Sequence, residues 1–162
     1  MPTIHLETII KADIEIVFDL SRSIDLHTVS AGQTGETAIA GKTSGLIGLN
    51  ESVTWRARHF GINQTLTSKI TAYDRPLYFV DEMVNGAFKS FKHEHHLRRS
   101  PQGTLMTDCF QYQSPFGILG NLADFLFLKK YMKNFLTERN QVLKQYAESG
   151  VGKNLLSQNT DS

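Results

Sequence analysis

The chain has a single cysteine, Cys109, among 162 residues, so no internal disulfide can form and the fold must be held by its core. Neither sign of charge is in excess: 17 Lys and Arg stand against 16 Asp and Glu. That balance excludes the strong field that draws nucleic acid or an anionic membrane, so no nucleic-acid partner is expected. No apolar run reaches membrane-spanning length, because Asp124 and the Lys129-Lys130 pair interrupt the best stretch. Stable membrane insertion is therefore not expected, although Phe127 beside Lys129, Lys130 and Lys133 leaves room for transient contact with a membrane surface. The opening MPTIHLETII lacks a basic segment, alternates like a strand and does not read as a secretory signal, so the expected location is the cytoplasm. There is no internal repeat.

What the chain does contain is one long amphipathic stretch. From Phe116 to Ala147, Leu128, Met132, Phe135, Arg139, Val142 and Tyr146 recur at helical spacing, and Ile118, Leu122, Phe125, Leu126, Leu136 and Leu143 widen the face. Such a helix must bury itself on something large. Thr3 to Ile10 alternates as a strand. Asp13 and Ser23 are helix N-caps, so two short helices follow it. A weak strand at Glu36–Ala40 leads to the glycine-rich Gly41–Leu49 connection, which lacks the Gly-Lys-Ser/Thr ending of a phosphate loop. Further strands are expected at Glu51–Phe60, Asn63–Tyr73, Leu77–Val84, Phe88–Arg99 and Thr104–Gln113, separated by short turns such as Asn85-Gly86. Short turns make an antiparallel meander, and strands segregated from a covering helix make the class α+β. Residues 1–149 are read as one domain, and 150–162, small and polar, as a flexible tail.

Several local strings add a resemblance. They are Val53 to Gly61 (VTWRARHFG), Phe79 to Gly86, Phe91-Lys92-His93-Glu94-His95, Gly103 to Asp108 (GTLMTD) and Pro115-Phe116-Gly117. With the order of elements, the chain resembles the START-like, helix-grip SRPBCC superfamily over nearly its whole length. The branch it is most similar to is the small bacterial cyclase/dehydrase-like or coenzyme-Q-binding-like group. The resemblance implies a curled antiparallel sheet of about seven strands wrapped round the C-terminal helix. It also implies an internal cavity for a small hydrophobic or amphipathic ligand, such as a lipid, an isoprenoid quinone or a polyketide-like compound.

Alternation assigns the inner face. Phe91, His93, His95 and Leu97 oppose the wet Ser90, Lys92, Glu94, His96 and Arg98. Trp55, Phe79, Asp81, Met83, Met106 and Asp108 fall on the same side of their strands. A pocket of several hundred Å³, the usual ligand range, is expected between helix and sheet. Its expected ligand-binding residues are Trp55, Phe79, Asp81, Met83, Phe91, His93, His95, Met106, Asp108, Leu122, Phe125 and Met132.

Three readings fit the polar residues on that face. His93 and His95, two apart on one strand face, could join a carboxylate around a metal. His93 and Asp108 could form an acid–base pair in a polyketide cyclase or dehydratase. The cluster could instead orient a bound ligand, which is the reading preferred here: a carrier rather than an enzyme, with no metal and no cofactor. Counting back and forward from the Ser100–Gly103 turn places His93 and Asp108 diagonally across neighbouring strands.

Overall fold

Period-two alternation and turn residues decide where the strands run. In a computed structural model of the chain, which describes residues 1–115, 117, 119, 122 and 127–159, strand β1 spans Thr3–Ile10. Helices α1 (Ile14–Ser21) and α2 (Ile24–Ser30) come next, then a single 3-10 turn at Gly32–Thr34. The remaining strands are β2 (Thr37–Gly41), β3 (Ser52–His59), β4 (Ile62–Asp74), β5 (Tyr78–Asn85), β6 (Ser90–Ser100) and β7 (Gly103–Gln113). Helices α3 (Lys129–Ser149) and α4 (Val151–Gln158) close the described chain. The caps act as their residue types require: Asp13 Oδ1 accepts from the Glu15 N–H at 2.9 Å, and Ser23 Oγ accepts from the Leu26 N–H at 3.2 Å.

The seven strands form one antiparallel sheet in the order β1-β7-β6-β5-β4-β3-β2. The order is that of a meander whose first strand has come round to pair with its last. Register shifts at Ala38/Ala40, Thr67/Ser68 and Ile70/Ala72 add local twist where the sheet curls. At the β3–β4 turn Phe60 and Gly61 both take the left-handed conformation that a tight hairpin demands.

Inside the curl lie two apolar clusters. The first joins α1 and α2 (Val17, Phe18, Leu26) to Trp55, Phe79, Leu97, Met106 and Leu143. The second joins Ile4, Phe91, Phe110, Tyr112 and Leu136, with half-buried Met83, Met132 and Phe135 packed on it. The α3 residues that reach the interior, Leu136, Arg139, Asn140, Leu143 and Ala147, follow the three- and four-residue steps of one helical face.

Three expectations change. The first part of the expected Phe116–Ala147 helix, Phe125 included, lies mostly outside the described residues; Phe127–Leu128 form a π turn, and the regular helix runs on to Ser149. Beyond Asn85-Gly86 the hairpin is longer than a two-residue turn, because β5–β6 pairing stops at Glu82–Lys92 and Gly86 backs directly onto Leu66. The expected flexible tail contains α4, whose Leu155 and Leu156 pack on the first cluster. Gly150, with φ of 79°, turns the chain back, and Gly152 fits where a Cβ would meet Leu20 and the Tyr146 carbonyl. Gly152→Val is expected to lower stability by about 1–3 kcal/mol through overpacking, read from the midpoint of denaturant unfolding. An unchanged midpoint would show that α4 is not docked.

Candidate functional site

A polar belt crosses the inner face between the two apolar clusters. Each element contributes by the same pattern, apolar–polar–apolar. Strand β7 offers Met106, then Asp108, then Phe110; β6 offers Leu97, then His95 and His93, then Phe91. Strand β5 offers Phe79, Asp81 and Met83, and α3 offers Leu143, then Asn140 and Arg139, then Leu136. Cross-strand register aligns the belt: His95 faces Asp108 and Phe79, while His93 faces Phe110 and Asp81.

Asp108 is the hub. It is 1% exposed, and burying an ionised carboxylate costs several kcal/mol unless its oxygens are bonded. His93 Nε2 lies 2.9 Å from Oδ1, and Asn140 Nδ2 donates to Oδ2 at 2.7 Å. His95 Nδ1 lies 2.8 Å from the same Oδ1, an ion-pair distance without hydrogen-bond alignment. Burial alone would push the Asp108 carboxyl up, but the His93 hydrogen bond and the adjacent His95 override it and hold the group well below the usual carboxylate range. An ionised carboxylate only accepts, so the His93 proton sits on Nε2 and the Asn140 amide points its nitrogen at Asp108.

The other belt groups sit differently. His95 stacks on Phe79 with ring centroids 4.1 Å apart, and burial, helped by repulsion from His93, pushes its imidazole from the ordinary 6.5 down to about 3. Asp81 is half-buried as a residue, yet its Oδ1 is sealed from solvent and has no hydrogen-bond partner. Burial pushes its carboxyl up, against a hydrogen bond to Ser68 and the nearby His93.

The expected residues thus divide. Trp55, Phe79, Phe91, Met106, His93, His95 and Asp108 are buried on the inner face, and Asp81, Met83 and Met132 border it half-buried. Leu122 is corrected: it is 57% exposed and lines no interior. Among the described residues, a small space of about 10 Å³ lies between the α1–α2 pair and α3, bordered by Ser21, Leu26, His27, Arg139 and Leu143. A larger concavity of about 730 Å³ is an open groove on the outside, between the β1–α1 link and the β6–β7 turn.

Two groups of residues were missed by sequence reasoning. Asn140 sits between Leu136 and Leu143 on the same apolar stripe, and that spacing was its signal. The second is a cluster around Glu36, where His27 Nε2 lies 2.6 Å from Oε2 and His59 Nε2 3.8 Å from Oε1. His27 stacks on Trp55, and His59 Nδ1 reaches the Tyr131 hydroxyl at 2.7 Å. Burial would raise the Glu36 carboxyl, but the hydrogen bond to His27 and the charges around it bring it down to about 2. His93, His95 and Asp108 also have donor atoms within 4.8 Å of one another, the donor types of a metal site, although Asp108 and His93 are engaged with each other.

Folding lowers the proton affinity of His95, so the unfolded chain binds the proton more tightly. The stability this group contributes is fully present above pH 6.5 and is lost as pH falls toward 3. Glu36 adds a second loss between its ordinary 4.5 and about 2. His95→Gln is expected to flatten the decline between neutral pH and pH 5, measured as denaturant midpoints at both values. An equal decline in both proteins would contradict a neutral, buried His95.

A scan of protein-family models gives no match, and no curated protein is significantly similar in sequence. Solved structures are similar in shape. TTHA0849 from Thermus thermophilus matches with a TM-score of 0.75 at 17% identity, over 92% of this chain and 99% of that one. Ginseng major latex-like protein 151 from Panax ginseng matches with a TM-score of 0.66 at 16% identity, over 90% and 97%. The di-domain ARO/CYC protein StfQ of the steffimycin biosynthetic pathway matches with a TM-score of 0.73 at 9% identity, over 93% of this chain and 51% of its own. In sheet order, in the two short helices after β1 and in the closing helix, the chain shares the helix-grip fold of these solved structures.

Proposed function

We propose that the protein binds a small amphipathic molecule between α3 and the inner sheet face, as a carrier rather than a catalyst. The observation that carries this reading is the polar belt set between two apolar clusters. Sites for amphipathic molecules are mostly apolar, with a few polar groups that fix orientation. The first cluster is closed off by α1 and α2, so the ligand's apolar part belongs at the second, beside Met83, Phe91 and Met132. Methionine side chains are flexible and adapt to a guest, which suits an interior that must part to admit one. The polar part of the ligand then meets the belt. A lipid, an isoprenoid quinone or a polyketide-like compound has the required form.

A second reading has one specific observation in its favour. The 2.9 Å His93–Asp108 contact resembles an oriented acid–base pair, so the same site could serve a cyclase or dehydratase. The StfQ likeness belongs with this reading. Nothing in the belt supplies a nucleophile, and the hydrogen of His93 Nε2 is spent on Asp108.

A fluorescent apolar probe is expected to quench Trp55 on binding, and His93→Gln to change its affinity by less than about tenfold, because Gln keeps the hydrogen bond to Asp108. No quenching by any apolar probe would overturn the binding reading. Product formed from a polyketide-like compound by the wild type, and lost about a hundredfold in His93→Gln with binding intact, would favour the enzyme.

A further inference from the structure

Among the described residues, Arg139 carries a positive charge into the belt without a carboxylate at ion-pair distance. It is 8% exposed. Its Nη2 donates to the Ser21 carbonyl at 3.0 Å, at the C-terminal end of α1. That is the one hydrogen bond the guanidinium makes among the described residues, and no described carboxylate lies within 4 Å of it. A guanidinium has several N–H donors in a planar fork, suited to a carboxylate, and most of this fork is unspent. Buried charges are ordinarily paired, and an unpaired one is costly.

The surroundings favour an incoming anion. Arg139 and His27 line the cavity of about 10 Å³, with Ser21, Ser23 and Ser30 along the α1–α2 side. That volume is on the order of one water-sized atom, room for one oxygen of a head group. The oxygens of the nearby acids are already engaged: Asp108 by His93 and Asn140, and Glu36 by His27.

We propose that Arg139 is the anchor for the carboxylate head of a long-chain amphipathic acid, whose apolar chain runs along the inner face toward Met132. This rests on the binding reading above and names the class of ligand. One carboxylate oxygen enters the cavity beside His27 and accepts from the free edge of the guanidinium, and the second accepts from a neighbouring donor of the belt. The bond to Ser21 stays in place and keeps the fork oriented.

The test compares a fluorescently tagged long-chain fatty acid with its methyl ester at neutral pH. The wild type is expected to bind the acid about tenfold or more tighter, the worth of a charge-assisted hydrogen bond. Arg139→Gln should erase that difference while leaving the affinity for the ester in place, and Arg139→Lys should retain part of it. Equal affinity for acid and ester in the wild type would overturn the anchor and leave internal binding standing. Failure to bind either probe would overturn internal binding and the anchor together. Should Arg139→Gln not fold, the wild type decides alone: the Nε–H NMR signal of Arg139 is expected to shift with the acid and not with the ester, and an unmoved signal with bound acid overturns the proposal.

Discussion

The buried charge of Asp108 is the constraint on which the interior depends. A carboxylate 1% exposed in the middle of a sheet can persist only if other elements bring donors to it. Strand β6 brings His93 and His95, and helix α3 brings Asn140. Those contacts fix two relations at once: the β6–β7 register, with His95 opposite Asp108, and the axial position of α3 over the sheet. A slide of α3 by one turn would carry Asn140 about 5 Å away and leave a carboxylate oxygen unbonded. The network therefore specifies one placement of the helix where apolar packing alone would tolerate several.

Other polar ties repeat the arrangement along the same helix. Tyr131 meets His59 at the β3–β4 end, Arg139 meets the end of α1, and Lys144 meets the Ile9 carbonyl of β1. Between them the apolar residues of α3 pack against the two clusters. Helix and sheet are thus joined by polar contacts at intervals, with adaptable side chains such as Met132 between them. That combination suits a protein whose interior must open locally without losing the position of its helix. The end with fully buried side chains, beside α1 and α2, has no such latitude.

Much of this was legible in the sequence, for physical reasons that differ by element. The strands were readable because every second residue changes polarity and the turns carry Gly, Asn or Pro, so β1 and β7 begin and end within a residue of expectation. The His93–Asp108 diagonal was readable because a short turn fixes register by counting. Asn140 was not, because one polar residue on an apolar stripe does not reveal its partner until the helix is placed over the sheet. The Glu36 cluster was hidden for a similar reason: His27, Glu36, His59 and Tyr131 come from four separate segments. The C-terminal helix was missed because its composition is small and polar, and its stability comes from docking on α1 through Gly152 rather than from propensity.

The account turns on whether the belt under α3 meets a ligand. Side-chain NMR of the Asn140 amide and the His93 imidazole, followed during titration with an amphipathic fatty acid, tests that claim most directly. The account predicts that both signals shift with saturable dependence on ligand, together with the ring signals of Phe91. Binding that shifts only residues of the outer groove near Lys11 and Gln102, with Asn140 and His93 unmoved, would contradict it.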